Sequence, residues 1–68
     1  MERGIYRHYK GNEYEFLFIA KHSETLEELV VYKALYNDSI WARPIKMWDE
    51  EIKLGDKTVK RFEFVRKI

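Results

Sequence analysis

Two glycine-led pairs, Gly11-Asn12 and Gly55-Asp56, each interrupt strand-like sequence, and short turns of this kind fix the pairing register of their flanks. Gly11-Asn12 separates GIYRHYK from EYEFLFIA, and Gly55-Asp56 separates MWDEEIKL from KTVKRFEFV. A two-residue type II′ loop at Gly11-Asn12 places Lys10 opposite Glu13, Tyr9 opposite Tyr14, His8 opposite Glu15, Arg7 opposite Phe16 and Ile5 opposite Phe18. One face then carries Ile5, Tyr9, Tyr14, Phe16 and Phe18; the other carries the pairs Lys10–Glu13 and His8–Glu15. The same register at Gly55-Asp56 sets Ile52 against Val59, Glu51 against Lys60 and Glu50 against Arg61. An acidic strand faces a basic one.

With 68 residues and no cysteine, the chain reads as one domain, residues 1–68, that must fold by packing alone. Aromatic residues make up 16%, and large rings bury much area while ordering few torsions. Thirteen lysines and arginines against twelve acids give a formal charge of +1, too balanced to point by itself to nucleic acid or an anionic membrane. No apolar run is long enough to span a bilayer, and Met1-Glu2-Arg3-Gly4 lacks the apolar core of a signal peptide. A cytoplasmic location is the expectation.

Leu29–Tyr36 is apolar on both alternating faces, which suits a central, bent strand. Asn37-Asp38-Ser39 is a turn cluster, and Ile40–Arg43 returns as a strand that ends before Pro44. Ile45–Trp48 reads as a connector with room for one 3₁₀ turn. The rival reading starts a helix at the capping box Thr25-Leu26-Glu27-Glu28, but Lys33 breaks its apolar stripe and Val30-Val31-Tyr32 favours a strand. A single helical turn at Thr25–Glu28 is compatible with either. The expected fold is mainly β: a small SH3-like barrel of about five antiparallel strands with at most one short helical turn.

Three blocks carry a family resemblance: Tyr6–Tyr14, His22–Thr25 running into Leu29–Tyr32, and Trp41-x-Arg43-Pro44. Together they resemble a small bacterial family known only as domain of unknown function 1653. The resemblance spans nearly the whole chain and implies an SH3-type β-barrel. It brings no activity, cofactor or catalytic residue. Trp48 stands where the family pattern implies phenylalanine.

Chemistry-bearing residues fall into three groups. Lys21–Thr25 concentrates a base, two hydroxyls and a carboxylate in the one sizeable loop, which makes His22, Ser23, Glu24 and Thr25 candidate contact residues. Adjacent side chains do not form a Ser-His-acid relay, so catalysis there is a minor reading beside turn capping. Tyr32, Trp41 and Arg43 have the composition of a protein-recognition hot spot, although so small a domain favours the core for Trp41. Lys57, Lys60, Arg61 and Arg66, interleaved with Phe62 and Phe64, are the nucleic-acid alternative, opposed by Glu50 and Glu51 across the hairpin. His8 and His22 lack the spacing of a metal site, and no phosphate-cradling glycine loop is present, so no cofactor is expected. The leading expectation is a non-enzymatic binding module that contacts a protein or a fused domain through the 22–25 loop and the Tyr32/Trp41/Arg43 surface. Nucleic-acid binding and a small-ligand or enzymatic site at His22/Ser23/Glu24 are the alternatives.

Overall fold

A computed structural model describes all residues 1–68. Strands β1 (Ile5–His8), β2 (Glu13–Lys21), β3 (Glu28–Ala34) and β4 (Ile40–Pro44) follow one another as antiparallel neighbours. Helix α1 (Ile45–Trp48) leads to β5 (Glu51–Leu54) and β6 (Lys57–Lys60), which pair only with each other, and β7 (Phe62–Arg66) returns beside β1. The main sheet is therefore five-stranded, ordered β4-β3-β2-β1-β7, with β4 and β7 as open edges. The mainly antiparallel β architecture is as the sequence predicts. The strands are seven, and they form an open sheet plus a separate hairpin.

The Gly55-Asp56 hairpin has the predicted register, with Glu51 opposite Lys60 and Ile52 opposite Val59. The Gly11 hairpin does not. His8 donates its amide to the Asn12 carbonyl and accepts from Gly11, closing a three-residue loop, Tyr9-Lys10-Gly11, with Gly11 at φ 111°. Tyr6, not Tyr9, therefore faces Tyr14, and Arg7 faces Glu13 and bonds it at 3.0 Å. The predicted His8–Glu15 and Lys10–Glu13 pairs do not form; Glu15 faces Ile5 and Lys33, and His8 faces Phe62 of β7. A slip by an odd number exchanges the faces of a strand, which is why Tyr6 replaces Tyr9 inside. A bulge between Phe16 and Phe18 adds a second correction: Phe16 is buried, but Phe18 turns outward and is 55% exposed.

Both remaining sheet hairpins use one loop design. Residues 23–26 and 35–38 are four-residue loops whose last residue is left-handed, Leu26 at φ 63° and Asp38 at φ 60°. The helical turn allowed at Thr25–Glu28 is absent; Glu28 already begins β3. Asp38 tolerates its conformation because a short polar side chain can bond locally, whereas leucine in that region costs roughly 1–2 kcal/mol. Leu26 is also 67% exposed. Leu26→Gly is therefore expected to stabilise the chain by about 0.5–1 kcal/mol, after allowing for the extra freedom of unfolded glycine. A fall in the urea midpoint would show instead that the leucine side chain is held by contacts.

Pro44 closes β4 and opens α1, a single α-helical turn where the sequence allowed a 3₁₀ turn. That turn sends Trp48 inward, leaving it 2% exposed and stacked on Phe62 at 3.8 Å with planes 2° apart. Tyr6, Phe16, Val30, Tyr32, Trp48 and Phe62 form the core, with Tyr14 and Ile45 packed against it. Tyr6 and Tyr32 meet Trp48 edge to face at 5.4 and 5.0 Å, the favoured arrangement for rings that do not stack. Trp41 is the contrary case. Sequence reasoning favours it for the core, yet it is 52% exposed; the single helical turn gives Trp48 the central place instead.

Candidate functional site

Tyr32, Trp41 and Arg43 share one face of the β3–β4 ladder, because Tyr32 lies opposite Trp41 and Val30 opposite Arg43. Tyr14 from β2 and Tyr36 from the 35–38 loop extend this face into a row. Tyr14 meets Tyr32 at 5.4 Å and Tyr36 at 6.1 Å, both edge to face. Phe62 underlies the row, 5.7 Å from Tyr14 and 5.8 Å from Tyr32. Trp41 donates from Nε1 to Ser39 Oγ at 2.6 Å, and that hydroxyl donates to Asn37 Oδ1 at 2.6 Å. This chain of bonds, built within one turn cluster, holds the indole at the surface.

Arg43 is the charged member of the group. Its side chain is half-buried, with Cζ 5.6 Å from the Phe62 ring centroid and Nε donating to the Tyr32 hydroxyl at 3.4 Å. His8 approaches the same ring from another side, edge to face at 5.0 Å. Burial lowers the His8 pKa below its ordinary value, and the positive charges of Arg43, Arg61 and Lys10 lower it further. Tyr14 is raised above the usual phenol range by burial and then by the neighbouring Tyr36 hydroxyl. Arg61 spends one guanidinium nitrogen on Glu50, while its Nε is buried without a partner. The surroundings of Phe62 thus collect cationic groups.

The 22–25 loop lies beyond the other end of the same hairpin. Tyr32 is four residues along β3 from Glu28, or roughly 13 Å at strand spacing. Within the loop, His22 Nδ1 accepts from the amides of Glu24 and Thr25 at 3.1 and 3.3 Å, and Thr25 Oγ1 accepts from Glu27 at 3.2 Å. Ser23 and Glu24 are exposed. The polar residues are spent on shaping the loop, so it presents a rim rather than a second centre. No three His, Asp or Glu side chains converge as a metal site needs.

Among the basic residues near the C-terminus, Lys57 is exposed, Lys60 faces Glu51, Arg61 bonds Glu50 at 2.5 Å and Arg66 reaches Glu13 at 3.5 Å. Two open clefts flank the β5–β6 hairpin. One, about 520 Å³, runs between Leu54, Lys60 and Glu51 on one wall and Arg7, His8 and Glu63 on the other. The second, about 540 Å³, is lined by Tyr6, Trp48, Phe62 and Phe64 together with Glu2 and Asp49. Neither includes Trp41, Arg43 or the 22–25 loop. No helix is long and apolar enough to cross a membrane.

The structure places Tyr32, Trp41 and Arg43 on one face, with Tyr32 buried in the core and not at the surface as the sequence reading has it, and sets His8, Tyr14, Tyr36 and Phe62 near them, which sequence reasoning missed. Their spacing along the chain carries no signal, since they come from β1, β2, the 35–38 loop and β7. Comparison with known proteins agrees with the fold. A family described as "Protein of unknown function (DUF1653)" matches residues 4–64. A crystal structure of a DUF1653 protein from Bordetella bronchiseptica is 35% identical, with a TM-score of 0.89 over 100% of this chain and 91% of that one. No curated protein matches.

Proposed function

Because the chain belongs to the DUF1653 family, whose description names no activity, we propose its role from the site itself: a non-enzymatic module that binds an extended protein segment along β4. The observation that carries this reading is Trp41, a large ring fixed at the surface on an unpaired sheet edge. Ala34 donates its amide to the Ser39 carbonyl, so the bonded pairs of the β3–β4 ladder fall at Tyr32–Trp41 and Val30–Arg43. The amides and carbonyls of Ile40 and Ala42 then point outward. An incoming strand would bond to them and lay its side chains beside Trp41 and Arg43, the mode of peptide capture by strand addition. Pro44 ends the template, since it has no amide to offer. The 22–25 loop lies past that end as a flanking contact.

A nucleic-acid role through Lys57, Lys60, Arg61 and Arg66 has less support, because Glu51, Glu50 and Glu13 stand beside three of the four. An enzymatic site at His22, Ser23 and Glu24 has less again, with His22 Nδ1 occupied by two loop amides.

The test uses a displayed library of short random peptides. Peptides selected on the chain are expected to shift the amide resonances of Ile40 and Ala42. Ala42→Pro removes an outward amide that the fold does not use, and is expected to weaken those peptides about tenfold while the chain stays folded. No enrichment, or equal binding by Ala42→Pro, would overturn the proposal.

A further inference from the structure

Arg43 is an arginine without an anion. The chain forms five ion pairs, Arg7–Glu13, Lys33–Glu15, Arg61–Glu50, Arg66–Glu13 and Lys67–Glu2, and Arg43 belongs to none of them. Its one hydrogen bond within the chain leaves from Nε, so both terminal nitrogens of the fork are unspent. The Tyr32 hydroxyl that accepts this bond still has its own proton to donate. Half-burying a guanidinium over a ring removes part of its water, a cost that the Phe62 face and the Tyr32 hydroxyl offset in part and an acceptor on the terminal nitrogens would offset further. The nearby charges that act on His8 are all positive, and the carboxylate nearest Arg61, Glu50, is already held by it. Arg43 itself has no ion-pair partner within the chain.

We infer that Arg43 and the Tyr32 hydroxyl form a carboxylate-binding site, filled by an acidic side chain of the bound partner. A carboxylate oxygen beside the Nε edge accepts from the adjacent terminal N–H of Arg43 and from the Tyr32 phenol, which itself accepts from Nε. Phe62 below the guanidinium excludes water from one side, which strengthens such bonds. Strand geometry supplies the source of the carboxylate: a segment lying along β4 places alternate side chains on the face that carries Trp41 and Arg43. This last step rests on the strand-addition reading; the anion site does not.

Acetate and inorganic phosphate serve as probes, titrated separately while the Arg43 Nε–H and Tyr32 ring resonances are followed by NMR. Acetate is expected to saturate both signals, and Arg43→Gln to abolish the response. Tyr32→Phe, which keeps the ring and the core, is expected to weaken it several-fold. Arg43→Lys should respond only weakly, since an ammonium lacks the fork. A linear, unsaturable shift, an unchanged response in Arg43→Gln, or saturation by phosphate alone would overturn the inference. In library-selected peptides, changing the acidic residue to its amide is expected to cost about tenfold in the native chain and little in Arg43→Gln. If selected peptides bind along β4 with no acidic preference, the carboxylate site falls while strand addition stands. If acetate seats at Arg43 but no peptide is selected, the site stands and strand addition falls.

Discussion

Trp48→Ala is expected to leave the chain largely unfolded at room temperature. Replacing a buried tryptophan by alanine costs about 3–5 kcal/mol, and a single core in a domain this short rarely supplies more than about 3–5 kcal/mol in total. The loss should fall near the upper figure, because Trp48 stacks on Phe62 and holds Tyr6 and Tyr32 on its edges. Few other contacts can collapse into the gap, since the core cluster has six buried members. Trp48→Phe keeps a ring over Phe62 and is expected to cost only about 1–2 kcal/mol. Urea titration followed by far-ultraviolet circular dichroism, which needs neither indole, gives the measurement. A Trp48→Ala midpoint equal to that of the parent would mean that the stack does not organise this core.

The contrast between the two tryptophans shows what a single sequence leaves open. Trp41 lies between Ile40 and Ala42 and Trp48 between Met47 and Asp49, and the domain has room for one of them at its centre. The choice depends on the four-residue helix after Pro44, which aims Trp48 at Phe62 from a segment whose own pattern predicts little. The two hairpins show the same division. At Gly55-Asp56 the complementary strands Glu50–Ile52 and Val59–Arg61 determine the register locally, and it was legible. At Gly11 a two-residue and a three-residue loop both put glycine at positive φ. The decision between them comes from β7, which takes His8 against Phe62 and Tyr6 against Phe64. Arg43 and Tyr32 could be named as a pair because their strands adjoin. Their missing counter-ion could not, because it depends on where every acid in the fold ends up.

Gly4→Ala is expected to have the second-largest effect, and it comes from the backbone rather than the core. Gly4 is buried, and its carbonyl accepts the Phe16 amide at 3.0 Å across from β2. On its other side, a Cβ would run into the Arg66 carbonyl oxygen and come within 2.7 Å of the Phe64 ring. Phe64 could swing aside, being an edge-strand ring that is 39% exposed. Arg66 could not, because its carbonyl is part of β7 itself, so relief requires parting β7 from β1. Overpacking of this kind costs about 1–3 kcal/mol. Because β7 also carries Phe62, the strain should reach the ring beneath Arg43, and acetate affinity should fall in the same variant. Hydrogen exchange offers the discriminating readout: amides of β1 and β7 should lose protection first, while those pairing β3 with β4 keep it. Uniform loss of protection would place the strain in the whole fold instead, and an unchanged urea midpoint would show that β7 can step away from Gly4 without cost.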